Sequence, residues 1–190
     1  MYNNDIGLID AQYVMDNSTL FNNVEAKFIE PSIIRCQNIY IQDILGSDLY
    51  KVVIDAYTAY VNSGTALPSR ISTLTENYIL PVLLHYVIYD ILPDFYIKIT
   101  AQGLLRSKGT DNGDAITAED LDKMRKIYED RAQFYGERTT NYLILNSSTY
   151  PEYLTMTSQD DIYPSGKNYK GFYIGGSYND LKNPYCCDEN

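Results

Sequence analysis

The sequence predicts a mainly α fold: a small helical bundle with one β-hairpin and a long extended C-terminal arm. Three observations carry this. Apolar residues recur at helical spacing in four segments between Val24 and Leu145. One short window, 95–108, alternates with period two instead. Composition then shifts once, near Asn146, into a polar and aromatic tail. With 190 residues, 45% of them hydrophobic, the chain is long enough for one domain plus an extension and too apolar to be disordered throughout. The expected division is a helical core over 1–146 and an arm over 147–190.

Asp10 is placed to cap a short helix running through Met15. From Val24 the apolar positions Phe28, Ile29, Ile33, Ile34, Ile41, Ile44 and Leu45 recur at helical spacing, and because Pro31 suits a first turn better than an interior, the next helix is expected over about 31–45. Gly46 should end it. Ser47 or Asp48 can cap the following helix, which runs through Leu49, Val52, Val53, Ala56, Tyr57 and Tyr60 until Asn62, Ser63 and Gly64 stop it. Pro68 and Ser69 open a third helix, apolar almost all round in its second half and therefore central to the bundle. Pro81 should kink it, and Pro93 should stop it. Its most apolar stretch, Tyr78 to Leu92, is short of the roughly 20 residues of a bilayer span and reads as a core helix.

Residues 95–108 (FYIKITAQGLLRSK) set Tyr96, Lys98 and Thr100 against Ile97, Ile99 and Ala101, with a turn at Gln102-Gly103. After a Gly- and Asp-rich loop, Thr117 and Asp120 resemble a capping box for a long helix. Its expected packed stripe is Leu121, Met124, Ile127, Tyr128, Arg131, Tyr135, Thr139, Tyr142 and Leu143. The last 44 residues hold seven Tyr but only four Leu, Ile or Val, too little apolar surface to offset roughly 1–2 kcal/mol of backbone entropy per residue. The arm should be loose until a partner orders it.

The chemistry points away from an enzyme. With one His and three Cys, the side chains most used for catalysis at neutral pH and for zinc are scarce. No P-loop, nucleophile elbow, dinucleotide fingerprint or HExxH occurs. His85 would be the candidate base, but no carboxylate or hydroxyl set accompanies it, and a hydrogen-bonded core histidine is the plainer reading. Asp111, Asn112 and Asp114 around Gly113 miss the EF-hand order and read as a solvated turn. Cys36, Cys186 and Cys187 fit neither a zinc knuckle nor a redox pair and are expected as free thiols. No catalytic, cofactor-binding or metal residues are therefore assigned, and no cofactor is expected.

Charge and aromatic content suggest assembly instead. Fifteen bases against 25 acids give −10, which disfavours a surface that grips phosphates throughout. Residues 1–64 carry −5 of it, from eight acids and three bases. Lys98, Arg106 and Lys108 make the hairpin locally basic, to touch DNA phosphates, to meet an acidic neighbour, or merely to discourage edge pairing. In the arm, Tyr163, Tyr169, Phe172, Tyr173 and Tyr178 can anchor a segment that orders on a partner. The N-terminus has no basic segment followed by an apolar run, so synthesis and folding in a cytosol are expected.

The order of parts resembles a known family. IQDILGSDLY (41–50), ENYILPVLLHYVIYDILP (76–93), YIKITAQGLLRS (96–107), YEDRAQFYGERTTNYL (128–143) and YPEY (150–153) look like the head-to-tail connector, or portal adaptor, proteins of tailed bacteriophages, with the nearest likeness to the ring proteins of crAss-like phages. The resemblance implies a closed ring, usually of twelve copies, at the head-tail junction of the virion. Its implied partners are the portal protein, other copies of itself, the next neck or tail protein, and genomic DNA passing through the lumen without sequence-specific binding. A membrane is not implied. A minor tail or surface-binding protein using the tyrosines for protein or glycan contacts is the alternative.

Overall fold

The computed structural model describes residues 6–18, 25–100, 103–106, 117–157 and 162–164, and these are mainly helical. Helix α1, Ala11–Asp16, starts where Asp10 accepts the Tyr13 amide at 2.7 Å. Helix α2, Ala26–Cys36, runs through a π-turn, Gln37–Ile41, into α3, Gln42–Leu45. It begins a turn and a half before the expected residue 31, so Pro31 lies inside it and removes one backbone donor. Burial of Ile29 and Ile33 holds the extra turns. Each such side chain contributes about 1.5–3 kcal/mol, which offsets a proline penalty of about 3 kcal/mol.

Gly46 separates α3 from α4, Ser47–Ser63, and the left-handed Gly64 (φ 65°) ends α4. The expected cap at Ser47 or Asp48 is not found: Gly46 holds the cap position, and both side chains serve the C-terminal part of the chain.

A single 28-residue helical run, Ser69–Tyr96, forms the centre. It comprises α5, Ser69–Leu74, a π-turn, Thr75–Ile79, and α6, Leu80–Tyr96. The π-turn, in which Leu80 N donates to Thr75 O, stands immediately before Pro81 and makes room for its ring. Pro93 does not stop α6. The helix continues to Tyr96 because Ile91 and Leu92 are buried and Arg35 of α2 pairs with Asp90 and lies 3.9 Å from Asp94, on either side of the proline. By length and composition this run could cross a bilayer, which revises the length expected from the sequence, but Val82, Leu83, Val87 and Ile88 are buried in the protein's own core.

The backbone of β1, Ile97–Thr100, pairs antiparallel with β2, Gly103–Arg106, Lys98 opposite Leu105 and Arg106 opposite Ile97. The long α7, Ala118–Leu145, opens on a capping box: Thr117 Oγ1 accepts the Asp120 amide at 3.1 Å and Asp120 reaches back to the Thr117 amide.

The stretch after α7 is seated on the helices, unlike the loose arm that its composition suggests. Tyr150 and Tyr153, flanking the start of the 3₁₀ turn Pro151–Leu154, are 1% and 3% exposed. Tyr150 Oη donates to Arg70 O at 2.8 Å, and the Arg70 guanidinium grips both Glu152 oxygens at 2.7 and 2.8 Å. Thr155 and Thr157 hydroxyls then donate to Asp48 at 2.7 and 2.8 Å. Ser47 N donates to Ile162 O at 2.9 Å, and Ile162 N donates to Ser47 Oγ at 2.8 Å. Counting aliphatic residues missed this, because here the burial comes from aromatic rings whose hydroxyls are satisfied.

Two outcomes follow from this closure. Gly46 has φ +73°, and a Cβ there would lie 2.7 Å from Pro164 Cγ and Cδ. Gly46→Ala should therefore lose about 2 kcal/mol or more in urea unfolding, from left-handed strain and the clash together. A chain ending at Pro164 should exceed one ending at Asn146 by at least about 4 kcal/mol, since the shorter one lacks two buried tyrosines; equal midpoints would refute the closure.

Candidate functional site

The seam between α6 and α7 gathers the unusual side chains of the fold. The two helices run antiparallel, as the pairs Tyr78–Tyr142 and Tyr89–Arg125 at its two ends show. They approach closely because α7 turns Ala132, Gly136 and Thr139 inward, all buried, and Thr139 Oγ1 lies 3.3 Å from Tyr78 O. The expected stripe was therefore off-centre. Ile127 and Arg131 are exposed, and the small residues mark the line of closest approach. Ala132, Gly136 and Thr139, at i, i+4 and i+7, were the available signal.

Outside that line runs a ladder of cations and rings. Arg138 sits 5.2 Å from the Tyr78 ring, and Tyr78 stacks on Tyr142 at 4.0 Å. His85 stacks on Tyr135 at 5.4 Å and lies 6.0 Å from Tyr128, over which Arg131 is placed at 5.4 Å. Arg125 covers Tyr89 at 4.4 Å. Each such cation-ring contact is worth about 0.5–1 kcal/mol where exposed.

Lysines and arginines of α7 divide sharply. Lys123 pairs with Glu119, and Lys126 with Glu129 and Asp130, on the helix's own surface. Arg125, Arg131 and Arg138 have no carboxylate within 4 Å among the described residues. Phe134, 63% exposed, stands edge-on to Tyr135 between Arg131 and Arg138. An open depression of about 510 Å³ is lined here by His85, Asp130, Arg131, Phe134 and Tyr135.

His85 is not the hydrogen-bonded core residue the sequence suggested. It is half-buried at this depression, and its Nδ1 has no partner; Arg125 Nε is likewise buried and unpaired. Burial, and secondly the Arg131 charge, holds the imidazole below its ordinary pKa. It is thus neutral at pH 7. Asp130 is engaged by Lys126, and among the described residues lining the depression none forms a nucleophile-base pair with His85. Among the described residues no group of His, Cys, Asp or Glu could hold a metal ion. Burial also raises the Cys36 thiol far above its usual range, which leaves it a packing group.

Of the residues singled out in the sequence, Tyr163 is half exposed, next to Ile162 at the Ser47 junction. Lys98 and Arg106 lie in the paired strands. Lys108, Tyr169, Phe172, Tyr173 and Tyr178, like Asp111, Asn112 and Asp114, lie outside the described residues. Arg125, Arg138 and Phe134 were not singled out, and Arg131 only as part of the packed stripe, although Arg131, Phe134 and Arg138 share one helical ridge.

A family model described as a family of unknown function, DUF6712, matches residues 41–162. The chain belongs to the DUF6712 family. The two ends of the DUF6712 span meet in space, since Ser47 and Ile162 exchange two hydrogen bonds. No curated protein and no solved structure matches the chain.

The sign of the histidine effect is testable because His85 is the chain's single histidine. Its folded pKa is lowered, so as pH falls through about 6.5 the unfolded chain takes up a proton that the folded chain refuses, and stability drops. NMR titration should place the imidazole below 6.5, and His85→Gln should flatten the stability profile between pH 7 and 5.5. A pKa at or above 6.5 would contradict the geometry around Arg131, Asp130, Tyr128 and Tyr135.

Proposed function

We propose that this DUF6712 chain is a structural virion protein, a homo-oligomeric adaptor ring between the portal and the tail that extends the DNA channel and gives the tail a place to dock. In this reading it performs no catalysis. The paired strands β1 and β2 project as a hairpin, and the C-terminal arm, residues 147–190, extends to meet the portal, a neighbouring subunit or the next ring. Candidate contacts are Lys98, Arg106 and Lys108 on the hairpin and Tyr163, Tyr169, Phe172, Tyr173 and Tyr178 on the arm.

The observation that carries the reading is the exposed ridge of Arg131, Phe134 and Arg138 on α7, beside an open depression that lacks a catalytic set. Arginine and aromatic side chains are the types enriched at protein-protein anchors. A ring subunit needs such a surface on its flank, together with a different complementary surface, because a head-to-tail contact closes a ring only when each copy offers both. The chain after α7 is held on the helices by hydrogen bonds to Arg70, Asp48 and Ser47. A −10 subunit also suits a conduit, where cations facing the lumen would retain DNA.

Native mass spectrometry and electron microscopy of the purified chain with the portal protein of its own virus provide the test. A closed ring, of twelve copies in the family-based expectation, seated on the portal is the expected result. A chain that never binds the portal and instead binds glycans or a host surface protein would replace the adaptor reading with that of a surface-binding module.

A further inference from the structure

Helix α7 has two sides with apolar side chains, and the subunit covers one of them. At about 100° per residue, Ala132, Gly136, Thr139 and Leu143 lie together on the inner side, and all four are buried. Across the helix from them run Ile127, Phe134 and Leu145, close to two and three whole turns apart and 49%, 63% and 84% exposed. Single exposed apolar residues are ordinary on a protein surface. Three in one line, opposite the buried side of the same helix, have the pattern of a helix-helix seam.

Charge is sorted across this outer line. Arg131 and Arg138 lie on one flank, over the rings of Tyr128 and Tyr78. By the same helical spacing Asp130 and Glu137 lie on the other flank. Asp130 meets Lys126 at 2.9 Å in an exposed pair one turn apart, a contact of about 0.3–0.5 kcal/mol that a better-placed cation can replace. A surface with an apolar centre, bases on one flank and acids on the other is complementary to itself.

We propose that the outer line of α7 is the docking surface for a second copy of this chain, the two helices lying side by side and parallel about a two-fold axis along their length. That arrangement sets the arginine flank of each copy against the acidic flank of the other, Arg131 beside Asp130 and Arg138 beside Glu137. It also stacks Ile127 on Ile127 and Phe134 on Phe134 at the centre. An antiparallel pair would put arginine against arginine and acid against acid. The pair goes beyond the ring reading and uses the same ridge, so it belongs to the free chain and opens when that ridge is taken up in a ring. Its opposed charges make it weaken with salt.

Charge reversal and cross-linking test the pair on the full-length chain. Sedimentation velocity should show wild type in a monomer-dimer equilibrium. Arg131→Glu with Arg138→Glu makes both flanks acidic and should weaken pairing roughly tenfold or more, and Asp130→Arg with Glu137→Arg, which makes both basic, should do the same. A one-to-one mixture of these two double variants should recover it, with circular dichroism unchanged throughout because every substitution is on the outer side. Phe134→Ser should weaken pairing at any salt concentration. Direction is read in a Cys186→Ser, Cys187→Ser chain, where Cys36 is buried: Ile127→Cys should oxidise to a dimer by itself in a parallel pair, whereas in an antiparallel one it cross-links only when mixed with Asn141→Cys. Unchanged pairing after the arginine reversals, no recovery in the mixture, the 127-to-141 cross-link, or a wild type that stays monomeric would each overturn the proposal. Portal binding reads the ring separately: a monomeric chain that still forms a ring on its portal refutes the pair alone, and a pair that never engages the portal refutes the ring alone.

Discussion

Gly46 is the position at which the two halves of the chain meet, and the rest of the fold depends on its backbone. At φ +73° and ψ 159° it breaks the run from α2 through α3 and starts α4 within one residue. With no Cβ, it leaves a space that Pro164 fills. A side chain would both strain the turn and push Pro164 away, and with it the Ser47–Ile162 bonds that close the family span. The bridge between two distant parts of the chain thus rests on one small residue whose need is conformational and steric together.

That closure explains why the sequence was informative for helices and silent about the ending. Asp10, Gly64 and the Thr117-Asp120 box announce helix ends through local chemistry, and the structure uses each of them. Pro31 and Pro93 mislead because local rules price the lost hydrogen bond but not the tertiary burial of Ile29 in the core, or the bridge from Arg35 on α2 to Asp90 on α6. Ser47 and Asp48 look like caps for the same reason. Nothing within a few residues of them reveals that Thr155, Thr157 and Ile162, more than 100 positions away, will claim their oxygens. The candidate surface was hidden similarly, since Arg131 and Ile127 fit a helical stripe until the small residues beside them fix which line faces inward.

Tyrosine was read from composition as a sign of assembly, and within the described residues it mostly builds the subunit. Of 15 described tyrosines, only Tyr60 and Tyr163 are exposed. Tyr40 and Tyr86 stack at 3.8 Å, and burial pushes both hydroxyls up to about 12. Tyr50, raised likewise to about 12, donates to Asn38 at 2.7 Å. Such hydroxyls stay protonated at any physiological pH, and Tyr50 thereby serves as a permanent donor beside a largely aliphatic core. The chain thereby gains aromatic area without Trp and places hydrogen bonds where two helices must keep register.

The division between lysine and arginine on α7 has a physical basis. Lysine's compact, strongly hydrated ammonium is satisfied by a neighbouring carboxylate one turn away, as Lys123 and Lys126 are. Arginine's planar, weakly hydrated guanidinium can lie on a ring and still present free N–H groups outward. Arg131 over Tyr128 and Arg138 over Tyr78 are in that arrangement. The rings fix their direction at little entropic cost, and among the described residues no carboxylate pairs with them. Had these positions been lysine, the nearby acids of α7 would neutralise them along the helix surface, and the ridge would carry no directed charge. Their service is to hold positive donors in place on an acidic protein, beside an exposed phenylalanine.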